Sequence, residues 1–313
     1  MRSFTIKAGI FSVVLLAILV GSLFLLPDYV VKTKSVGAVT DKHALLRAAS
    51  SPKIVFVGGS NVSFGLDSRR VRDSLKMDVV NAGVHAGLGL RFMLNDIKPF
   101  VNKGDIIVLM PEYWHFIHQD FYDGKIELVS VLFDVYPEAR RNVSLEQWIT
   151  LSVYLPTYST TKLKNAILHA IRGEREAPND IYGRHSFNEF GDTNAHWNLP
   201  PLPVEADPKE SGHETVVPKV VQDIHALAEF VTGKGATLVM MPPVYQQTSF
   251  NNRIRSIDRI SKALESNQLG WIASPERYAL PDTMFFNTPF HPRKTGVDVR
   301  TIRVIEDLRR VIP

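Results

Sequence analysis

The chain has no cysteine in its 313 residues, which excludes disulfides, thiolate metal sites and a cysteine nucleophile. It is also short of net charge. Lys and Arg number 36 against 32 Asp and Glu, a balance of +4 with pI about 9.1. That is too mildly basic to argue for nucleic acid, and no basic stripe is interleaved with aromatics. There is no internal repeat and no low-complexity tract. Long apolar runs are missing except for one. Ala8–Leu26 contains no charged residue and follows Arg2 and Lys7. It has about the 20 residues that a bilayer-crossing helix needs, is longer than a signal peptide's apolar region, and is followed by no Ala-x-Ala cleavage site. A buried core helix is the alternative, against which its place at the N-terminus argues. The expected organisation is a cytoplasmic tail (1–7), a single transmembrane anchor (8–26), a stalk (27–51) and an extracytoplasmic domain (52–313), although Lys32 and Lys34 run against the positive-inside pattern.

With 45% apolar and 22% charged residues, the remainder has the composition of a globular protein with a core. It is organised around Lys53-Ile-Val-Phe-Val-Gly-Gly-Ser60-Asn61-Val-Ser-Phe-Gly65-Leu-Asp67. An apolar run of β-branched and aromatic residues that stops at glycine reads as a buried strand of a parallel sheet. Ligands bind at the carboxyl ends of such strands, so Ser60 sits where the fold places chemistry. Gly58 and Gly59 permit a sharp turn and close backbone approach, and Asp67 suits a helix N-cap. Turn chemistry alone also explains Gly and Ser here. A phosphate loop would need Gly-Lys-Ser/Thr, and a hydrolase elbow Gly-x-Ser-x-Gly, where Val62 takes the last place.

A βαβαβ rhythm follows: strand Lys53–Gly59, helix Asp67–Leu75, strand Met77–Gly83, helix Leu88–Val101 and strand Asp105–Met110. This predicts a parallel sheet with helices on both faces. Residues 117–213 then read as a largely helical insertion, a lid or binding region over the sheet's carboxyl edge. It has helical pieces at Leu145–Tyr154 and Thr160–Arg172, a polar aromatic stretch Tyr182–Trp197, and a Pro-rich loop at 198–213. The sheet resumes with helix Glu214–Thr232, strand Ala236–Met241, helix Phe250–Asn267, a short fifth strand at Trp271–Ala273, and a last helix Val297–Val311.

A serine early in an α/β domain and a histidine late, ahead of the final helix, resemble the SGNH/GDSL hydrolase superfamily. More narrowly, the chain is similar to membrane-anchored SGNH-like proteins of bacterial envelopes, the relatives of teichoic-acid D-alanyl transfer and alginate acetylation proteins. The resemblance covers residues 50–116 and 236–311 and leaves out the insertion. It implies a three-layer α/β sandwich with a central, mostly parallel, flavodoxin-like sheet. Gly58-Gly59-Ser60-Asn61 is similar to the family's Gly-Asp-Ser block, with Ser60 as nucleophile and Gly59 in place of Asp. Asn81-Ala-Gly83-Val-His85-Ala86-Gly87 is similar to the block that supplies an oxyanion N–H. The Gly-x-Asn block is replaced by Pro111-Glu112-Tyr113. In the last block, Asp-x-x-His, His291 matches the base, while Thr288 stands three residues earlier and Asn287 four.

A serine hydroxyl needs a base within hydrogen-bond reach, and that base needs an acceptor on its other ring nitrogen. His291 is the best base among ten histidines. Asp282, the Asn287 amide oxygen or a backbone carbonyl is its acceptor. The N–H of Ser60 and the backbone at Gly83, Ala86 or Gly87 form the expected oxyanion site. Asn61, His85, Glu112 and Tyr113 are expected to line the substrate cleft. His85 also reads as a bonded loop histidine and Glu112 as a solvated carboxylate. His115 and His118 have helical metal-site spacing but no third ligand nearby, so no metal or other cofactor is expected. His185 and Trp197, with Asn188, Asp192 and His196 among aromatics, suit carbohydrate or a loop anchored by buried rings. The resemblance implies a serine esterase or O-acyltransferase at the bacterial cytoplasmic membrane, acting on acyl groups of an envelope polysaccharide. The alternative is an inactive accessory protein that binds glycan or a multi-pass membrane acyltransferase.

Overall fold

A computed structural model of the chain describes residues 2–26, 34–173 and 181–312. Strands β1 (Lys53–Gly58), β2 (Asp78–Asn81), β3 (Ile106–Met110) and β4 (Thr237–Met240) form a parallel sheet in the order β2-β1-β3-β4. Val55 pairs with Val80 on one side and Ile107 on the other, and Ile107 with Leu238. Alternate residues point to opposite faces. Val55, Val57, Val80, Ile107, Leu109 and Met240 enter one core, and Ile54, Phe56, Val79, Ile106, Val108 and Met110 enter another. β3, and β1 from Ile54 to Val57, are buried on both faces, which is why these two segments read as unbroken apolar runs. A second, two-stranded parallel sheet joins β5 (Tyr245–Gln246) to β6 (Ala279–Leu280).

The helices, in chain order, begin with α1 (Arg2–Leu25), of which Ser3–Leu25 is long and apolar enough to cross a membrane. Then come α2 (Ala38–Ala48), α3 (Ser60–Gly65), α4 (Ser68–Leu75) and α5 (Leu90–Asp96). α6 (Trp114–Ile117) leads into the insertion, which carries α7 (Gln119–Asp123), α8 (Ile126–Val135) and α9 (Leu145–Arg172). The chain closes with α10 (Pro218–Gly233), α11 (Gln247–Glu265) and α12 (Lys294–Leu308). Leu46 of α2, Leu94 of α5, Ile224 of α10 and Ile260 of α11 pack on one face of the sheet. Val62 of α3, Val71 of α4 and Val304 of α12 pack on the other.

Several boundaries differ from the sequence expectation. The helix expected to start at residue 8 begins at Arg2, because nothing in the tail breaks it. The stalk is at most residues 27–33, which lie outside the described residues. Val36, Val39 and Leu46 are buried, so 34–48 belongs to the globular body. The helix expected over Leu88–Val101 shrinks to α5, since Gly89 sits at φ +91 and Pro99 heads a separate turn. The two helical pieces of the insertion are one helix, α9, which runs through Pro156 and is opened by a Ser144/Gln147 capping box. Trp271–Ala273 is not a strand, although Ile272 N–H donates to the Met240 carbonyl at 2.9 Å. The last helix opens three residues earlier than expected, at Lys294.

Candidate active site

Parallel strands bring their carboxyl ends to one edge, and the site residues gather there. β1 ends in Gly58-Gly59, and α3 starts at Ser60. A Cβ on Gly58 would lie 2.6 Å from the Met110 carbonyl oxygen, and one on Gly59 would lie 2.7 Å from Ala86 Cα. Only glycine admits this packing. That is the physical reason an aspartate cannot stand at Gly59: the Ala86 backbone occupies its place.

Beneath Ser60 lies a buried charged network. Glu112 Oε1 accepts from Asn61 N–H at 3.2 Å, Asn61 Nδ2 at 3.4 Å and Ser60 Oγ at 3.5 Å. Asn61 Nδ2 also donates to the Met110 carbonyl at 3.2 Å. The fully buried Arg300 guanidinium, from α12, donates to the Asn61 carbonyl and to Asn61 Oδ1. Burial raises the Glu112 pKa to about 7, against the hydrogen bonds from Asn61 and Ser60. Burial also lowers Arg300 to about 10. His115 pins the edge from below. Its Nδ1 accepts from Glu112 N–H at 2.9 Å, and its Nε2 donates to the Ala86 carbonyl at 3.0 Å. Both ring nitrogens are therefore engaged, which removes His115 from the metal reading it shared with His118.

His291 comes from the loop between β6 and α12 and is 4% exposed. Its ring stacks on Phe64, with centroids 4.2 Å apart and planes at 9°. Phe64 lies four residues after Ser60 in α3, so the two share a helix face. His291 Nδ1 lies 2.9 Å from Asn287 Oδ1. That oxygen can only accept, so Nδ1 carries the proton and Nε2 presents a lone pair. Asn287 Nδ2 in turn donates to the Tyr182 hydroxyl at 2.6 Å. Burial lowers the His291 pKa to about 3, helped by His196 and His85, so the imidazole is neutral near pH 7. His196, lowered by burial to about 4, holds the Pro292 carbonyl through Nε2 at 3.0 Å. Among the described residues no hydrogen bond joins Ser60 to His291. The Ser60 hydroxyl turns to Glu112.

The insertion closes this edge. Asn81 N–H donates to the Phe190 carbonyl at 2.8 Å, and Thr193 N–H to the Ser63 carbonyl at 2.7 Å. The buried Asp192 carboxylate accepts from Ser68 Oγ at 2.6 Å and Asn81 Nδ2 at 2.7 Å. The stretch 181–197 is thus tied to α3, α4 and the end of β2.

Other expected roles change. Asp282 accepts from Thr248 N–H at 3.0 Å and from its hydroxyl at 2.5 Å, which caps α11 instead of orienting His291. Gly83 N–H donates to Asn81 Oδ1 at 3.0 Å, and Gly87 N–H to His85 Nδ1 at 2.9 Å. Neither is free for an oxyanion. Ser60 and Ala86 N–H have no acceptor among the described residues, and they remain as donors. Asn61 is wholly buried in the charged network and cannot meet substrate. Tyr113, 2% exposed, lies edge-on to Tyr245 and is likewise removed from a cleft. His185 is exposed. Trp197 is half-buried beneath the Lys294 ammonium, 4.5 Å from the ring centroid. Phe64, Arg300 and His115 shape the site without having been expected there, whereas Tyr182 and His196 come from the polar aromatic stretch expected to bind carbohydrate or anchor a loop. Of the first three only Phe64, at i+4 from the serine, carried a sequence signal.

Comparison of the chain with protein-family models, with curated proteins and with solved structures finds no match.

Proposed function

We propose that the protein is a membrane-anchored, extracytoplasmic serine esterase or O-acyltransferase of SGNH type, acting on acyl groups of an envelope polysaccharide. The sheet with its two helical layers then corresponds to that family's three-layer sandwich. The observation that carries the reading is the stacking of His291 on Phe64, which lies one helical turn after Ser60 in α3. It holds His291, its Nδ1 oriented by Asn287, on the same helix face as Ser60. In this reading Ser60 Oγ leaves Glu112 and attacks the ester carbonyl while His291 Nε2 takes its proton. The Ser60 and Ala86 N–H groups hold the oxyanion. His291 then gives the proton to the departing alkoxide. Water, or a sugar hydroxyl, resolves the acyl-serine by the same steps in reverse. An amide acceptor orients the imidazole but supplies no negative charge to the imidazolium, so the pair is slower than a full triad. Anchoring by α1 keeps the site near glycans made at the membrane.

The test is labelling of the full-length protein in nanodiscs by a serine-directed phosphonate, read by peptide mapping. Modification at Ser60, absent in Ser60→Ala, is expected together with release of acyl groups from O-acylated glycan. A folded protein that takes no label sinks the enzymatic reading. A second reading has an observation of its own: Asn287 stands in the acid's place, and the Ser60 hydroxyl faces Glu112. The domain then serves as an accessory that binds glycan or a multi-pass acyltransferase. Co-purification of such a protein, with no ester hydrolysis, would favour it.

A further inference from the structure

Helix α9 has an uncovered apolar stripe along its whole length. Leu145, Ile149, Val153, Ile167 and Ile171 are all exposed, with Leu145 at 77% and Val153 at 79%. At about 100° per residue these five, with Pro156 and Thr160 between them, fall within about 80° of arc. No charged residue occurs from Gln147 to Thr161. Trp148, 38% exposed, flanks the stripe. A soluble protein does not leave such a stripe to water.

Its neighbour says what covers it. α9 crosses α1 only at the last turns of the apolar helix. Ser159 Oγ donates to the Leu19 carbonyl at 2.8 Å, and Ser22 is buried against Ser159. The Lys162 ammonium donates to the Leu23 carbonyl at 2.8 Å and pairs with Asp134 at 3.0 Å. A cation on the last carbonyls of a helix marks its C-terminal end. Earlier in α1, Phe4, Ile10, Phe11, Val13 and Leu16 are exposed. α9 therefore lies at the level where a spanning α1 would leave the hydrocarbon. An amphipathic helix at that depth lies in the interface, with its apolar side toward the acyl chains.

We propose that α9 is a second membrane-binding element, with the Leu145–Ile149–Val153–Ile167–Ile171 stripe seated in the outer headgroup layer of the bilayer that α1 spans. This rests on the reading of α1 as an anchor. Two contacts set the orientation of the α/β body to the membrane, where one helix would leave it free to swing. Because the chain has no cysteine, single Cys variants of the full-length protein carry a fluorophore at one place only. The experiment reconstitutes Ile149→Cys, Val153→Cys, Thr161→Cys, Arg255→Cys and Leu16→Cys in phosphatidylcholine–phosphatidylglycerol nanodiscs containing doxyl-labelled lipid. Quenching at 149 and 153 is expected to exceed that at Thr161, off the stripe, and at Arg255, on α11, by about three-fold or more, with Leu16 quenched strongly. If Leu16 is quenched while 149 and 153 match Thr161, the stripe faces something other than lipid and the proposal falls. If Leu16 itself is not quenched, the anchor reading falls and the proposal goes with it.

Discussion

The two halves of the candidate site are built from different materials. The serine half is held by charge: Arg300, Asn61 and Glu112 form one buried relay under α3. The histidine half is held by neutral groups: an amide, a phenol, a stacked phenyl ring and a second imidazole on a backbone carbonyl. A buried cation and carboxylate are stable only if each finds hydrogen bonds, and Asn61 supplies them to both Glu112 and Arg300. An imidazole among neutral groups keeps its uncharged form, which a base requires, but finds no counter-charge once protonated. The Ser60 hydroxyl is thus tied to a charged network while the His291 imidazole sits neutral among uncharged groups, and among the described residues no hydrogen bond links the two.

The largest effect that would break the comparison is acid. His196 and His291, on the neutral half, have pKa values lowered to about 4 and about 3. His115 is lowered to about 4 by burial. The unfolded chain binds these protons from about pH 6.5 downward and the folded chain does not. Their contribution is therefore present above about pH 6.5 and is lost as pH falls toward 3. Glu112, raised to about 7, acts in the opposite sense. Its contribution is present below about pH 4.5 and is lost as pH rises through 7. Urea unfolding from pH 4 to 8 should show wild type weakening toward acid, while Glu112→Gln gains on wild type as pH rises. A difference between the two that is flat with pH would remove Glu112 from the buried relay.

Next comes Arg300→Met, which leaves the Asn61 carbonyl and Oδ1 without their donor. Loss of one partner of such a network costs about 3–5 kcal/mol. A loss below about 1 kcal/mol in chemical denaturation would show that charge does not hold the serine half. Asn287→Asp gives the neutral half a carboxylate, with the Tyr182 hydroxyl able to donate to it in place of accepting. Ester hydrolysis should rise by about 10- to 100-fold, and an unchanged or lower kcat/KM would mean that the acceptor on Nδ1 does not limit the rate. The smallest effect is Tyr182→Phe, which removes one hydrogen bond from Asn287. It should lower kcat by up to about ten-fold, near 1 kcal/mol, with KM little changed. An equal rise in KM would place Tyr182 in substrate binding.

Much of the body was legible because its signals are local. The apolar runs at 53–58 and 106–110, broken by glycine or proline, are strands, and Asp67 caps α4 through Arg70 N–H at 3.1 Å. The insertion was read less well. Its helix α9 passes Pro156, which propensity alone would treat as a break. The site was read in part. Ser60 and His291 stand at one edge, but Asp282 went to Thr248 and Asn61 to Arg300, because partners distant along the chain are chosen by the fold.

Local sequence was enough to specify the parallel strands, the sharp Gly58-Gly59 turn that sets Ser60 at a carboxyl edge, and an N-terminal helix long and apolar enough to cross a membrane. These follow from periodicity and backbone sterics acting over a few neighbouring residues. Long-range packing settled the rest: Ala86 leaves no room beside Gly59, Arg300 holds Asn61 from 239 residues away, Tyr182 stands behind Asn287, and α9 turns its apolar side outward beside α1. Each depends on which surfaces meet when separate segments pack, and nothing in local spacing encodes that meeting.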